Sequence, residues 1–248
     1  MIYQQTLARA RPVFRTVSNP HFVGVVTDLI NITTPVERDG DARPQAILVE
    51  QSANWTLPTH FHLQHQFQIF VAGGGTIGKH PIDALSVHYA TPHTGYGPLI
   101  SGDQGITYFT LRARSDIGAW YLPESRPHLK IQLPKQQAHG ASVTPTVMLS
   151  TLTVASEEVV ITPQAGGLAA WLMRVPPRQT VTAPVHAQGG GRFYVVTQGV
   201  MQIGDEALPP LSTVFVTADD DIAIVAGDAG LDVLVLQFPA AALVAVAD

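Results

Sequence analysis

The chain has 248 residues, of which 46% are apolar and 13% charged, and its formal net charge is −5. No run of Lys or Arg exceeds two residues and no apolar stretch nears the roughly 18 that span a bilayer, so neither nucleic acid nor membrane is an expected partner. Zero cysteines exclude disulfides and thiolate chemistry, which leaves nitrogen and oxygen donors for any metal.

The length suits one large domain or two of about 100–150 residues. The 21 glycines and 19 prolines, spread along the whole chain, suit short strands joined by tight turns. Met1 to Arg15 lack the apolar stretch of a secretory signal, so the cytoplasm is the expected location. Residues before about Ile47 are expected to extend the sheets or to cross onto another domain. His60 and His62 stand two apart on a predicted strand, so their side chains share one face, and Gln66 and Gln68 have the parity to join them. His65 is expected to be an exposed neighbour, and His21, His80, His128 and His139 loop residues.

Gln68 to Val71, Gly105 to Leu111, Phe193 to Thr197 and Leu231 to Phe238 are β-branched or aromatic runs bounded by Gly, Pro or Asp, and are expected strands. Arg112 and Arg114 share the parity of Tyr108 and Thr110, so one of them is expected to reach the interior. The polar, proline-punctuated stretch Leu133 to Thr146 reads as a connection, with a boundary near residue 140. The Ala-rich tail from Pro239 to Val246 is a candidate for one or two helical turns. The triplets Gly73-Gly74-Gly75 and Gly189-Gly190-Gly191 lack the following helix and Lys-Ser/Thr pair of a phosphate loop, and are expected to be turns or bulges.

The chain repeats itself. At a shift of 126 residues, nine identities fall within the 31 positions from Thr56 to Ser86, among them His60 on His186, Phe67 on Phe193, Gly73 on Gly199, Gly78 on Gly204 and Leu85 on Leu211. Farther on the shift becomes 125, and Gly105 and Leu111 fall on Gly230 and Leu236, as a one-residue loop deletion would produce. A duplicated all-β unit follows, with copies expected at 1–140 and 141–248.

The segment from Pro58 through His60, His62, Gln66 and Gln68 to Gly73 resembles the first motif of the cupin superfamily, an HxH followed three or four residues later by an acidic ligand and then a glycine. Both copies resemble cupins over most of their length, which implies two tandem double-stranded β-helix barrels, a bicupin. The resemblance further implies a metal bound by the two histidines and the acidic residue, with another histidine from a second motif downstream. Gln66 stands at the acidic position. The second motif falls between Leu85 and Pro98, where Tyr96 aligns best with the last ligand and His88 and His93 compete with it. The expected ligands are therefore His60, His62, Gln66 and one of that group, His93 included. Tyr96 and His93 are the candidate acid–base residues, and Gln68, Tyr96 and Arg112 the candidate substrate contacts.

The second copy keeps His186 but has Gln188, Arg192 and Tyr194 at the positions of His62, Gln66 and Gln68, a set that will not hold a cation. Arg192 has to be paired or to bind an anion, and this barrel is expected to be structural or an apolar pocket with one polar handle. No Gly-x-Ser-x-Gly segment supports covalent hydrolysis.

The expected cofactor is one divalent ion, Fe(II) first and Mn(II), Ni(II), Cu(II) or Zn(II) next. The expected activity is dioxygenase-like oxidation of a small enolizable or anionic molecule. A non-redox isomerase, lyase or hydrolase and a non-catalytic binding or scaffold protein stay open beside it. A homodimer is implied by the resemblance alone.

Overall fold

A computed structural model describes residues 1–30 and 43–244. The chain forms two compact units, one built on Arg11–His139 and the other on Gly140–Leu243 together with Met1–Ala10. The first ten residues thus depart from the expected 1–140 span. Their strand β1 (Ile2–Gln5) pairs antiparallel with Thr213–Val216 of the second unit.

The first unit carries β2 (Arg15–Ser18), β3 (Val23–Ile30), β4 (Gln45–Gln51), β5 (Thr56–Leu57), β6 (His60–Phe61) and β7 (Gln66–Ile77). After them come β8 (His80–Ile82), β9 (Val87–Ala90), β10 (Leu99–Arg112), β11 (Trp120–Tyr121) and β12 (Gln137–His139). Its main sheet runs β12-β9-β7-β10-β4-β3-β2, with β8 on β7 and β5 on β10, while β6 pairs with β11.

The second unit carries β13 (Ser156–Ile161), β14 (Ala169–Val175), β15 (Thr180–Thr182), β16 (Gly189–Ile203), β17 (Glu206–Leu208), β18 (Thr213–Val216) and β19 (Ala223–Pro239). Its order, β1-β18-β16-β19-β14-β13, with β17 on β16 and β15 on β19, repeats that of the first sheet except for β2, which has no counterpart. β1 occupies the edge position that β12 holds in the first sheet.

The long strands outrun the expected ones because glycines sit inside them as irregularities. Gly73 has φ +72, and a Cβ there would lie 2.0 Å from the Gly105 carbonyl oxygen; Gly199 (φ +73) stands in the same relation to Gly230. Backbones that close tolerate no side chain. Leu85 and Leu211, equivalent in the repeat, both take left-handed φ, 66° and 67°.

Other expectations need correction. Leu133 to Thr146 is more than a connection, since β12 lies within it and pairs with β9. His80 and His139 belong to strands, and their rings stack with centroids 3.7 Å apart. His65 is half-buried, with Nδ1 2.5 Å from the Tyr89 hydroxyl. Ala240–Leu243 forms a single 3-10 turn, and residues 245–248 of the tail lie outside the described residues.

The two interiors differ in what fills them. In the second unit Trp171, Met173, Tyr194, Val214, Ile222 and Val235 pack into one apolar core. By strand register and repeat, the equivalent residues of the first unit are Ile47, Val49, Gln68, His88, Tyr96 and Thr110. Smaller and polar side chains leave space, so the first barrel encloses a cavity of about 660 Å³ where the second keeps a pocket of about 60 Å³ beside Arg192.

Candidate active-site cavity

One part of the cavity wall is apolar, formed by Phe22, Val26, Ile47, Val49, Leu57 and Tyr108; the polar part includes His60, His62, Gln68, Tyr96, Arg112 and Asp116. Five sequence-derived candidates thus meet there. Gln66 is buried in the same cluster, Arg114 is not on the wall, and His93 does not join.

The short strand β6 places His60. Its backbone exchanges hydrogen bonds with Tyr96, 3.1 and 3.0 Å, which brings the Tyr96 hydroxyl to 3.0 Å from His60 Nε2. His60 Nδ1–H donates to the Pro58 carbonyl at 2.7 Å, so Nε2 carries the lone pair and accepts from Tyr96. Gln66 donates its amide N–H to the same hydroxyl, and its carbonyl accepts from Arg112 Nη2 at 2.9 Å. Arg112 Nη1 donates to Gln45 Oε1 at 2.6 Å. Donation therefore runs one way, from Arg112 through Gln66, Tyr96 and His60 to the Pro58 carbonyl.

His62 is held separately. Its Nδ1–H donates to Asp116 Oδ1 at 2.9 Å, and Asp116 also accepts from the backbone N–H groups of Leu63 (2.9 Å) and Gly118 (2.7 Å). The His62 Nε2 lone pair faces Arg112 Nη2 at 3.5 Å. Asp116 escapes sequence reasoning because it lies beyond the aligned repeat. The one available signal is Asp-x-Gly after a strand, the makings of a side-chain-closed turn.

Burial, with His62 alongside, pulls the His60 imidazole down to about 3. Burial lowers His62 too, partly countered by Asp116, so both rings are neutral at pH 7. Burial pushes the Asp116 carboxyl up, but His62 and Arg112 outweigh it and hold it well below the usual carboxylate range. Burial raises Tyr96 and keeps its phenol protonated. The charged wall residues balance: Arg112 against Asp116, and Arg15 against Asp28 at 2.8 Å.

His93 sits in a left-handed turn (φ 54) with its ring stacked on Phe61 at 5.5 Å, and its Nδ1 accepts from the Lys130 N–H at 3.3 Å. Phe61 projects from the opposite face of the strand to His60 and His62, so His93 is placed away from the cavity. His88 is buried between Gln68 and Gln137 rather than on the wall.

No family model matches the chain, and no curated protein matches it in sequence. Solved structures do match. The chain is similar to a bacterial pirin from Escherichia coli in complex with nickel(II), at a TM-score of 0.56 and 13% identity, over 96% of this chain and 99% of that one. It is similar to a variant of Bacillus subtilis oxalate decarboxylase (TM-score 0.58, 10% identity, 96% and 77% covered). It is also similar to quercetin 2,3-dioxygenase from Acinetobacter baumannii (0.53, 12%, 96% and 79%). All three have the cupin fold. This chain has the bicupin fold.

In the second cupin barrel the ligand positions are unlike the first. Arg192 is paired, donating to Asp221 Oδ1 at 3.0 Å and to the Asp220 carbonyl at 3.1 Å. His186 is half-buried and Gln188 exposed. The neighbouring pair Gln66 and Arg112 recurs there with its residue types exchanged, as Arg192 and Gln237.

In the first cupin barrel, His60 and His62 fit a divalent ion. Each spends its Nδ1 hydrogen on a fixed acceptor, the outer-shell arrangement that orients metal-binding imidazoles, and an ion at the two Nε2 atoms would take the place of the contacts they make with Tyr96 and Arg112. Gln66 does not complete the set, because both ends of its amide are engaged by Arg112 and Tyr96. Among the described residues no group of three His, Asp or Glu is placed to hold an ion, so Tyr96 and substrate would supply the remaining oxygens.

Proposed function

We propose that the first cupin barrel is the working site of a metal-dependent enzyme that oxidises a small anionic molecule, and that the second barrel is structural. The observation that carries this reading is the fixed tautomer of two neighbouring histidines on the wall of one cavity, each with its lone pair on Nε2. His60 and His62 would hold a divalent ion, Fe(II) first and Mn(II), Ni(II), Cu(II) or Zn(II) next, which would supply Lewis acidity and, with a redox metal, dioxygen chemistry. A nickel-bound pirin and a dioxygenase among the similar structures support the dioxygenase-like class.

The chain's own residues bind, orient and hold protons. Arg112 and Asp116 already cancel, so an ion adds two positive charges to a buried site, and an anionic substrate is the group that offsets them. Arg112 is on the wall to meet its head group, and its Nε has no acceptor among the described residues. The apolar side, Phe22, Val49 and Tyr108 among others, takes the body of the molecule and excludes water. Tyr96 gives its hydroxyl hydrogen to His60 Nε2, and an ion on that nitrogen would free the hydrogen for a substrate oxygen.

A metal-free binding protein is the second reading. The one-way chain from Arg112 to Pro58 favours it, because each acceptor in that chain is satisfied without an ion. Elemental analysis of untagged protein purified without chelator, beside a His60→Ala/His62→Ala variant, separates the two. About one metal per chain, absent from the variant, supports the enzyme. A redox metal with oxygen uptake on enol substrates gives the oxidative class, and zinc gives the lyase, isomerase or hydrolase class. No metal after incubation with Fe(II), Mn(II) and Zn(II) leaves the binding reading.

A further inference from the structure

We propose that the cavity selects carboxylic acids that carry a hydroxyl group and an apolar body, with Arg112 taking the carboxylate and the Gln68 side-chain carbonyl taking the hydroxyl hydrogen. The Arg112 half rests on the anionic-substrate reading above. The Gln68 half stands on a chain of hydrogen bonds that reaches the cavity from the edge strand β12.

The chain begins at the Gly95 carbonyl, which accepts from Gln137 Nε2 at 3.0 Å. That bond fixes which end of the Gln137 amide faces inward, and Gln137 Oε1 lies 3.2 Å from His88 Nε2. On the other side of the ring, Gln68 Oε1 stands 2.9 Å from His88 Nδ1. Two carbonyl oxygens facing both ring nitrogens require a doubly protonated imidazolium.

His88 is not one. It is 1% exposed, and its ring neighbours are His139 at 4.9 Å and Tyr96 at 5.0 Å, with no carboxylate against it among the described residues. A neutral ring has one hydrogen, so one of the two amides must turn over. Gln137 is tied to Gly95, so Gln68 is the one that turns, an exchange of two ends of nearly equal shape.

In that orientation the Gln68 N–H donates to His88 Nδ1, and its carbonyl is directed to the space Gln68 lines on the cavity wall. An acceptor fixed in this way favours a ligand that brings a hydrogen. Gln68 pairs with Thr110 on β10, two residues from Arg112, so the two side chains leave the same sheet face from backbone positions offset by about 7 Å along the strands. A carboxylate and a hydroxyl separated by a short carbon chain match that spacing, and the chain itself meets the apolar wall. A site that leaves a buried acceptor unpaired discriminates strongly against the analogue without the hydroxyl.

The test uses the full chain with hexanoate and its 4-, 5- and 6-hydroxy derivatives, followed by titration calorimetry. One hydroxy isomer should bind at least about 10-fold more tightly than hexanoate. Gln68→Leu should remove that preference, while Arg112→Gln should weaken all four acids together. Long-range 15N NMR of the unsubstituted protein, which needs no variant to fold, should find the His88 hydrogen on Nε2.

Equal binding of all four acids, a preference that survives Gln68→Leu, or a His88 hydrogen on Nδ1 overturns the proposal. Binding of none of them overturns it together with the anionic role of Arg112. The metal analysis above is independent of either result.

Discussion

Asp116 takes the Nδ1 hydrogen of His62 at 2.9 Å, and through that bond a loop carboxylate sets the direction of an imidazole on the cavity wall. The same anion is the counter-charge to Arg112, which is 3% exposed. Asp116→Asn keeps the shape and removes the charge. It should cost about 3–5 kcal/mol, as removal of one member of a buried pair does, measured by urea unfolding. Metal affinity of the refolded protein should fall about 10–100-fold.

Acid should unfold the first barrel before its carboxylates titrate. Burial holds His60 and His88 near 3 and His65 near 4, all below the ordinary 6.5. The unfolded chain therefore takes up these protons first. Stability is full above about 6.5 and falls as pH drops from there toward the folded values, each ring removing up to about 1.4 kcal/mol per pH unit. Asp116, lowered from 3.8, adds its own loss only below that value. Urea midpoints followed by circular dichroism from pH 7 to pH 4 should decline steadily, and a flat profile would contradict the neutral buried rings.

Gly73→Ala and Gly199→Ala should each cost well over about 2 kcal/mol. They combine the left-handed φ with a Cβ placed 2.0 Å from a carbonyl oxygen. Gly204→Ala is the control: φ is +57 but nothing lies within 4 Å, so only the conformational cost of about 1 kcal/mol remains. Thermal unfolding of the three variants ranks them.

Trp171→Ala in the filled barrel should cost about 3–5 kcal/mol through the cavity it opens. In the hollow barrel the register puts Ile47 at that place, and the wall is held instead by Gln45, which bonds Arg112 and the Asp116 backbone. Gln45→Ala should act instead through those polar groups, lowering stability by about 1–3 kcal/mol. Urea unfolding of the two variants compares the costs.

The duplication is legible in the chain because backbone geometry demands its markers. Gly73, Gly78 and Gly105 and their counterparts Gly199, Gly204 and Gly230 all have positive φ, so drift elsewhere leaves them in place. The cavity is legible in part. His60, His62, Gln68 and Tyr96 stand within the repeating stretch, where strand parity or alignment points to them.

Asp116, Gln45 and Gln137 arrive from segments with no such markers, and only tertiary pairing brings them in. The motif resemblance also misleads at His93, whose left-handed turn (φ 54) carries its ring onto Phe61 and away from the cavity. The filled second barrel is visible only once Trp171, Tyr194, Ile222 and Val235 are set beside Ile47, Gln68, Tyr96 and Thr110.

The pairing of β1 with Thr213–Val216 joins residues at least 208 positions apart, from Gln5 to Thr213. At about 5–20 residues per second on the ribosome, that is a wait on the order of 10–40 seconds. The first barrel closes its corresponding edge with β12 and can mature during that interval. The second cannot: its outermost strand β1 precedes all its other strands in the chain and has to wait for Thr213–Val216, so through that interval it is an unpaired β-segment open to proteases or to a wrong partner.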